Sequence, residues 1–327
     1  MARLATIVVS FCLANALWWG GARFLLTPPE DARSTYELIQ AKEAIAAASP
    51  ARERLLIVGG SSSRYGYSAK QLSTLTGFSA VNLASHAGLG NRYILDRAKR
   101  SLQSGDTVLL ALESARERPA TYVTARIVQF ETPSYILRAP FSEWPSLIFG
   151  VTPHDVLRSW LRVQILGNMP SQTDENGDQT GISASLLTES RRAAVAASGL
   201  AASPPQTVGE LAKVVHEFVA WCNDRGVQVV IGWPTILYRE AYFGPQYRPA
   251  YDKLAESFAE LGLTTIGRQT DFLLSAEHMF DTNYHPNDIG RSIATRKLAE
   301  LLCQQVRCPH PAAYAVEKPQ QLATPAE

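Results

Sequence analysis

Short apolar runs alternate with amphipathic segments along most of this chain. The runs are rich in Leu, Ile and Val, and several begin just after a turn that contains glycine. They cover residues 55–58, 78–83, 107–112, 227–231 and 263–266. Segments between them, such as 208–223 and 247–261, have the length and spacing of helices. Buried strands that alternate with helices predict an α/β fold with a doubly wound parallel sheet.

The first apolar run is longer than the others. Residues 4–20 carry no charge and end in Trp18 and Trp19, and tandem tryptophans suit a membrane interface. The run is near the short limit of a spanning helix, about 17–25 residues, and slightly above the core of a signal peptide. We predict an uncleaved transmembrane anchor over residues 1–26. A cleaved signal peptide and a buried core helix are the alternatives.

Both membrane-related interpretations place the rest of the chain outside the cytoplasm. Arg3 precedes the apolar run, and the positive-inside tendency keeps such a residue on the cytoplasmic side. We therefore expect a single-pass protein of the inner (cytoplasmic) membrane whose domain lies in the periplasm.

Changes in polarity divide the remaining chain. Residues 27–54 are charged and Ala-rich and predict a solvated helical spacer, and residues 55–308 contain the α/β pattern. The pattern lapses over 115–205, which predicts a mostly helical insertion, far longer than an ordinary connection. The insertion is either a cap packed on the sheet or, through its aromatic residues, a substrate groove or membrane-facing surface. Residues 309–327 are polar and Pro-rich and predict a disordered tail.

Composition excludes several classes of protein. The 327 residues carry 31 Lys and Arg against 30 Asp and Glu, a net charge of +1, so charge alone would not attract nucleic acid. The 4 cysteines are too few for a disulfide scaffold and lack the paired spacing of a zinc site. Cys303 and Cys308 are close enough in sequence for a disulfide, with free buried thiols as the alternative.

Candidate chemistry lies at the two ends of the α/β segment. Ser61 follows the apolar run 55–58 and two glycines, and precedes a predicted helix, which suits a nucleophile at the carboxyl edge of a sheet. A phosphate-binding loop or an ordinary turn would look similar. Near the other end, Asp281 precedes His285 by four residues. An imidazole oriented by a carboxylate can take the proton of a serine hydroxyl, so these three residues would form a catalytic triad, with a structural or helix-capping role as the alternative for His285.

These motifs, in this order, resemble the SGNH (GDSL-like) hydrolase superfamily. The resemblance extends from about Leu55 to about Leu302 and includes Gly88 within residues 82–90. It implies a flavodoxin-like sheet and acyl transfer through Ser61. It also implies an oxyanion hole formed by the amides of Ser61 and Gly88 together with an asparagine of a third block.

Three departures from that family are visible. Gly-Gly-Ser replaces Gly-Asp-Ser, four residues rather than three lead from Asp281 to His285, and the third-block asparagine is missing. The candidates for the missing donor are Asn82, Asn91 and His86. The strand 107–112 ends instead in Glu113, which would position a substrate hydroxyl or be an exposed strand-end charge.

With an anchor and an external domain, the chain resembles family members that modify surface polymers, as in alginate O-acetylation and teichoic-acid D-alanylation. The resemblance implies an acylated polysaccharide as substrate, a multi-spanning membrane acyltransferase as partner, and no metal or organic cofactor. Tyr65, Trp233 and Tyr238 are candidates to stack on sugar rings, with a core position as the alternative for Trp233. The other functional hypotheses are a non-catalytic scaffold of a membrane complex and a small-ester or lipid hydrolase.

Overall fold

A computed structural model describes most of the chain. The described residues are 2–24, 30–50, 52–113, 127–128, 134–150, 173–199 and 208–310, together with residues 152, 154, 157 and 161. The helices among them are α1 Ala2–Phe24, α2 Glu30–Ala48, α3 Ser61–Gly66, α4 Ala69–Thr76, α5 Asn91–Ala98, α6 Ser134–Arg138, α7 Trp144–Phe149, α8 Glu189–Ala197, α9 Val208–Asn223, α10 Arg248–Glu260 and α11 Asp288–Gln305. The strands are β1 Arg54–Gly59, β2 Ser79–Asn82, β3 Thr107–Ala111, β4 Gln228–Ile231, β5 Ile236–Leu237, β6 Thr264–Thr265 and β7 Leu273–Leu274.

The five apolar runs form one parallel sheet of 5 strands in the order β2-β1-β3-β4-β6. Counted along the chain, this is the order 2-1-3-4-5 of flavodoxin-like sheets. Strands β1 and β3 are buried at every position, as expected where helices cover both faces. The predicted α/β class is therefore confirmed. A short pair, β5 and β7, lies outside this sheet.

Helices pack against one another over the sheet. Helix α11, near the end of the domain, contacts α3 and α4, while α9 contacts α5 and α10. Because α3 directly follows β1, the contact with α11 brings the two ends of the domain together. Asn287 caps α11 by accepting a hydrogen bond from the amide of Gly290 at 3.0 Å. This cap fixes where the loop that carries Asp281 and His285 joins the helix.

The predicted solvated spacer is different in the structure. Helix α2 packs on the domain, with Leu38 at 2% and Ala46 at 0% exposure. The side chain of Lys42 is also buried and donates to the carbonyl of Ala84 at 2.6 Å. Burial lowers the pKa of Lys42 well below its ordinary value. Composition was misleading here because one apolar face suffices to attach a helix that is charged elsewhere.

Helix α1 contains the apolar run at the N-terminus, and Leu4 and Leu17 are 67% and 74% exposed. Within the part of the chain that the structure describes, no helix combines the length and the apolar character needed to cross a bilayer. The transmembrane helix predicted for residues 1–26 is thus not found.

Parts of the insertion are described. Tyr135, Ile136 and Leu147 are buried in the main hydrophobic core, so this part packs on the domain. The tail from residue 311 onward, and with it most of the predicted disordered segment, lies outside the described residues. Cys303 and Cys308 form a disulfide, with their Cα atoms 5.3 Å apart.

A buried ion pair connects β1 to the start of β3. Arg54 donates to Asp106 at 2.9 and 2.7 Å, and their side chains are only 0% and 2% exposed. The same guanidinium donates to the carbonyls of Ala46 and Ser101 at 2.8 and 2.6 Å. Arg54 thus joins α2, β1 and the turn before β3.

Replacing Arg54 with Ala should lower the free energy of unfolding by about 3–5 kcal/mol, since Asp106 would stay buried without its cation. Urea denaturation followed by circular dichroism measures this. The matched control is Arg52→Ala at an exposed position two residues earlier, which should change stability by no more than about 0.5 kcal/mol. Equal effects of the two substitutions would show that the buried pair contributes nothing specific.

Candidate active site

The candidate nucleophile lies where the order of the sheet reverses. Ser61 begins α3 directly after β1, and Glu113 follows β3. Strands β1 and β3 are neighbours, with β2 on one side and β4 on the other. A crevice opens at such a point, outside the carboxyl ends of the strands. Ser61 and Glu113 therefore border the same crevice, although 52 residues separate them.

Three consecutive serines begin α3, and they are bonded differently. The hydroxyl of Ser62 donates to the carbonyl of Thr235 at 2.8 Å, and that of Ser63 to the carbonyl of Ala111 at 2.5 Å. Both side chains are fully buried. Ser61 alone is partly exposed. Its neighbours fix the turn, and Ser61 is the serine that a substrate can reach.

Gly60 is required by close packing. A Cβ atom at this position would lie 2.7 Å from Glu113 Oε1 and 2.8 Å from the Cβ of Ala87. Any larger residue would displace the carboxyl group or the turn that carries Ala87. The second glycine of Gly-Gly-Ser thus lets the β1–α3 turn approach the end of β3.

Glu113 contacts the candidate nucleophile, Ser61, directly. The amide of Ser62 donates to Oε1, and the hydroxyl of Ser61 donates to Oε2 at 3.5 Å. Glu113 is therefore neither an exposed strand-end charge nor a group remote from the reacting atoms. Its position at the end of β3, next to β1, was the one sequence signal that pointed to this contact.

The surroundings of Glu113 disfavour its charge. It lines an otherwise mostly apolar cavity with side chains that include Leu112, Trp233 and Tyr251. Burial raises the pKa of Glu113 to about 7, although the Ser62 amide, His285 and the Ser61 hydroxyl act in the opposite direction. A carboxyl group with such a pKa is partly protonated near neutral pH.

His285 and Asp281 form the predicted pair. The distance from His285 Nδ1 to Asp281 Oδ1 is 2.8 Å, so the four-residue spacing does not prevent contact. The bond leaves Nε2 of the imidazole to exchange a proton. Within the described structure, the Ser61 hydroxyl is bonded to Glu113 and not to His285. The catalytic roles of these residues stay predictions.

Tyr65 connects helix α3, which begins with Ser61, to the imidazole of His285. Its ring stacks on that of His285, with centroids 4.2 Å apart and planes 11° from parallel. Tyr65 is one helical turn after Ser61, so this contact holds His285 beside α3. The sequence predicted that Tyr65 stacks on a sugar ring, but in the structure its ring stacks on that of His285.

Of the predicted oxyanion donors, Gly88 lies in a turn near Gly60, whereas Asn82 and Asn91 are buried. The amide of Gly88 donates to His86 Nδ1 at 2.9 Å. Asn82 is fully buried, with its side-chain nitrogen bonded to the carbonyl of Tyr67 at 2.9 Å. It supports the β1–α3 segment and is not available to a substrate. Asn91 is also buried, at the first position of α5.

Trp233 is part of the core. It is 3% exposed, donates through Nε1 to the carbonyl of Gly267 at 3.0 Å, and meets Tyr251 edge-on. The predicted sugar-stacking role of Trp233 is not compatible with this burial, since a side chain that is 3% exposed offers no ring face to a sugar. Tyr238 is 48% exposed, beside Phe243.

Among the described residues, no three His, Cys, Asp or Glu side chains form a cluster that could hold a metal ion.

Comparisons with known proteins give little further information. No protein-family model matches this chain, and no curated protein matches it. Similar solved structures include the crystal structure of protein YxiM from Bacillus subtilis, at 12% sequence identity and a TM-score of 0.34. The match covers 79% of this chain and 57% of YxiM, so the chain spans little more than half of that protein. A likeness this distant supports no conclusion about activity.

Replacing Glu113 with Gln should remove a pH-dependent loss of stability. Because the folded protein holds the pKa of Glu113 at about 7, above the ordinary 4.5, folding opposes its ionisation. Wild-type stability should therefore fall, relative to the Gln variant, as pH rises from 4.5 to 7, and then stay level. The difference should reach up to about 3 kcal/mol, measured by urea denaturation at several pH values.

The matched control for this measurement is Glu240→Gln, which changes an exposed carboxylate. Its stability should follow that of the wild type at every pH. If the Glu113→Gln variant also follows the wild type, Glu113 ionises as readily in the folded protein as in the unfolded one, and the burial has no electrostatic consequence.

Proposed function

We propose that this protein is a serine acyl hydrolase or acyltransferase of the SGNH type. The observation that carries the proposal is that Ser61 contacts Glu113 while Tyr65, on the same helix as Ser61, stacks on His285, which is hydrogen-bonded to Asp281. The flavodoxin-like strand order agrees with that family. Nucleophile, base and orienting carboxylate are the groups that acyl transfer through a serine requires.

The reaction proceeds in two steps. Ser61 Oγ attacks the carbonyl carbon of an ester, and its proton passes to Nε2 of His285. The tetrahedral intermediate collapses, the alcohol leaves with the proton from His285, and the acyl group stays on Ser61. Water or a second hydroxyl then gives its proton to His285 and attacks the acyl-serine; the ester bond to Ser61 Oγ breaks, and His285 returns the proton to Oγ, which restores the free enzyme. Asp281 stabilises the imidazolium in both steps.

The substrate that we propose is an O-acylated polysaccharide outside the cytoplasm, with acetyl as the acyl group. The Cys303–Cys308 disulfide supports a location in an oxidising compartment such as the periplasm. The exposed apolar side chains of α1 support attachment to the inner membrane through residues 1–26. A multi-spanning acyltransferase in that membrane would then supply the acyl group.

A fluorophosphonate probe tests the nucleophile. The wild-type protein should be labelled, and Ser61→Ala should lose essentially all labelling because the variant lacks the Oγ atom that reacts with the probe. His285→Ala should reduce the labelling rate by about 10²–10⁴-fold, the usual contribution of a general base. Intact-protein mass spectrometry measures the adduct.

The control for this labelling is Ser190→Ala on α8, which removes an exposed hydroxyl and should leave labelling unchanged. Wild-type protein that is folded but unlabelled would contradict the proposal and favour a non-catalytic scaffold. Rapid hydrolysis of short aryl esters with no transfer to sugars would instead favour a simple esterase.

Tyr65 offers a second test, of the stack on His285. Tyr65→Ala should lower kcat by up to ~10²-fold, because the imidazole loses the ring that orients it. Tyr65→Phe keeps the stacked ring and should retain most of the activity. Steady-state hydrolysis of an aryl acetate by both variants gives the comparison. Equal losses would assign the effect to the hydroxyl and not to the stack.

A further inference from the structure

One part of the proposed site is incomplete. A tetrahedral intermediate carries a negative oxygen, and hydrolases of this kind stabilise it with preorganised donors. The asparagine that would serve from the end of the third strand is absent, and Glu113 follows that strand instead. Asn82 is bonded elsewhere, to the carbonyl of Tyr67. The position that needs a donor is therefore occupied by a carboxyl group.

We propose that Glu113, as a neutral carboxylic acid, donates the missing hydrogen bond to the oxyanion. This inference rests on the proposed function and adds a catalytic residue to it. Oε1 is bonded by the Ser62 amide, which assigns the acceptor role to that oxygen. In the neutral acid the carboxyl proton therefore lies on Oε2, which in the structure accepts from the Ser61 hydroxyl at 3.5 Å, and protonation turns this oxygen from an acceptor into a donor.

The geometry suits a donor at this place. When Ser61 Oγ bonds to the carbonyl carbon, the oxyanion is bonded to that same carbon and lies two bonds from Oγ. A group 3.5 Å from Oγ is therefore within reach of that oxygen. The O–H of Glu113 would point at the developing charge and keep its proton throughout, so no atom or electron is transferred to or from it.

The ionised form of Glu113 would oppose catalysis in two ways. A carboxylate cannot donate to an oxyanion, and its negative charge would repel one. It would also hold the Ser61 hydroxyl, which has to turn toward His285 to lose its proton. Neutral Glu113 releases that hydroxyl. Both effects predict that the protonated form is the active one.

The electrostatic surroundings of Glu113 agree with a neutral acid. Burial in the mostly apolar cavity raises its pKa to about 7. Among the described residues, the titratable groups near it are His285, which lowers the pKa of Glu113, Asp281, which is bonded to His285, and two tyrosines. Burial raises the pKa of Tyr284 and of Tyr251, which lines the same cavity, far above the ordinary value, so both stay neutral.

The test is the pH dependence of hydrolysis of 4-methylumbelliferyl acetate by the full chain between pH 5 and 9. Wild-type kcat should fall above pH 7, approaching tenfold per pH unit, as Glu113 ionises. Glu113→Gln keeps a donor of similar shape that does not titrate, so it should retain activity and lose this fall. Glu113→Ala should lose about 10²–10³-fold in kcat at every pH. Glu240→Gln, at an exposed position, should keep the wild-type profile.

The outcomes separate this inference from the proposed function. If turnover depends on Ser61 but the wild-type profile stays level above pH 7, or if Glu113→Gln is as impaired as Glu113→Ala, the oxyanion role is wrong and the serine mechanism stands. If no turnover depends on Ser61 at any pH, the proposed function fails, and the role of Glu113 fails with it. Thermal melting of each variant at pH 7 identifies any that is unfolded, and the presence or absence of the alkaline fall in the wild type then decides the inference by itself.

Discussion

The turn after β1 is packed so tightly against the ends of β3 and β4 that it determines the geometry of the crevice. The hydroxyls of Ser62 and Ser63 donate to the carbonyls of Thr235 and Ala111. At Gly60, a side chain would collide with Glu113. Such packing requires a rigid sheet underneath. The fully buried strands β1 and β3 provide it, since their apolar side chains are covered on both faces.

A cost accompanies this arrangement. Bringing the β1–α3 turn close to β3 encloses a carboxyl group in a mostly apolar cavity, where its charged form is poorly solvated. The structure compensates in part with the Ser62 amide, the Ser61 hydroxyl and the nearby imidazole of His285. Glu113 therefore gains or loses its proton near neutral pH. Titratable groups with shifted pKa values are concentrated at sites where chemistry takes place.

Several residues were correctly located from the sequence because local rules govern them. The five strands followed from apolar runs between turns, and their parallel pairing followed from the helices between them. The Asp281–His285 contact could be anticipated because both residues belong to one short loop. By contrast, the solvated spacer was wrong, since the burial of Leu38 and Ala46 depends on a surface formed by distant parts of the chain.

The sequence by itself determined the α/β class, the order of elements and the candidates for the reactive side chains, because hydrophobic periodicity and turn residues are properties of neighbouring positions. Only the tertiary structure decided which polar groups meet. Glu113 contacts Ser61 across 52 residues, Tyr65 stacks on His285, and Trp233 turns into the core. These contacts depend on how closely strands and helices approach in space, and no local pattern encodes that distance.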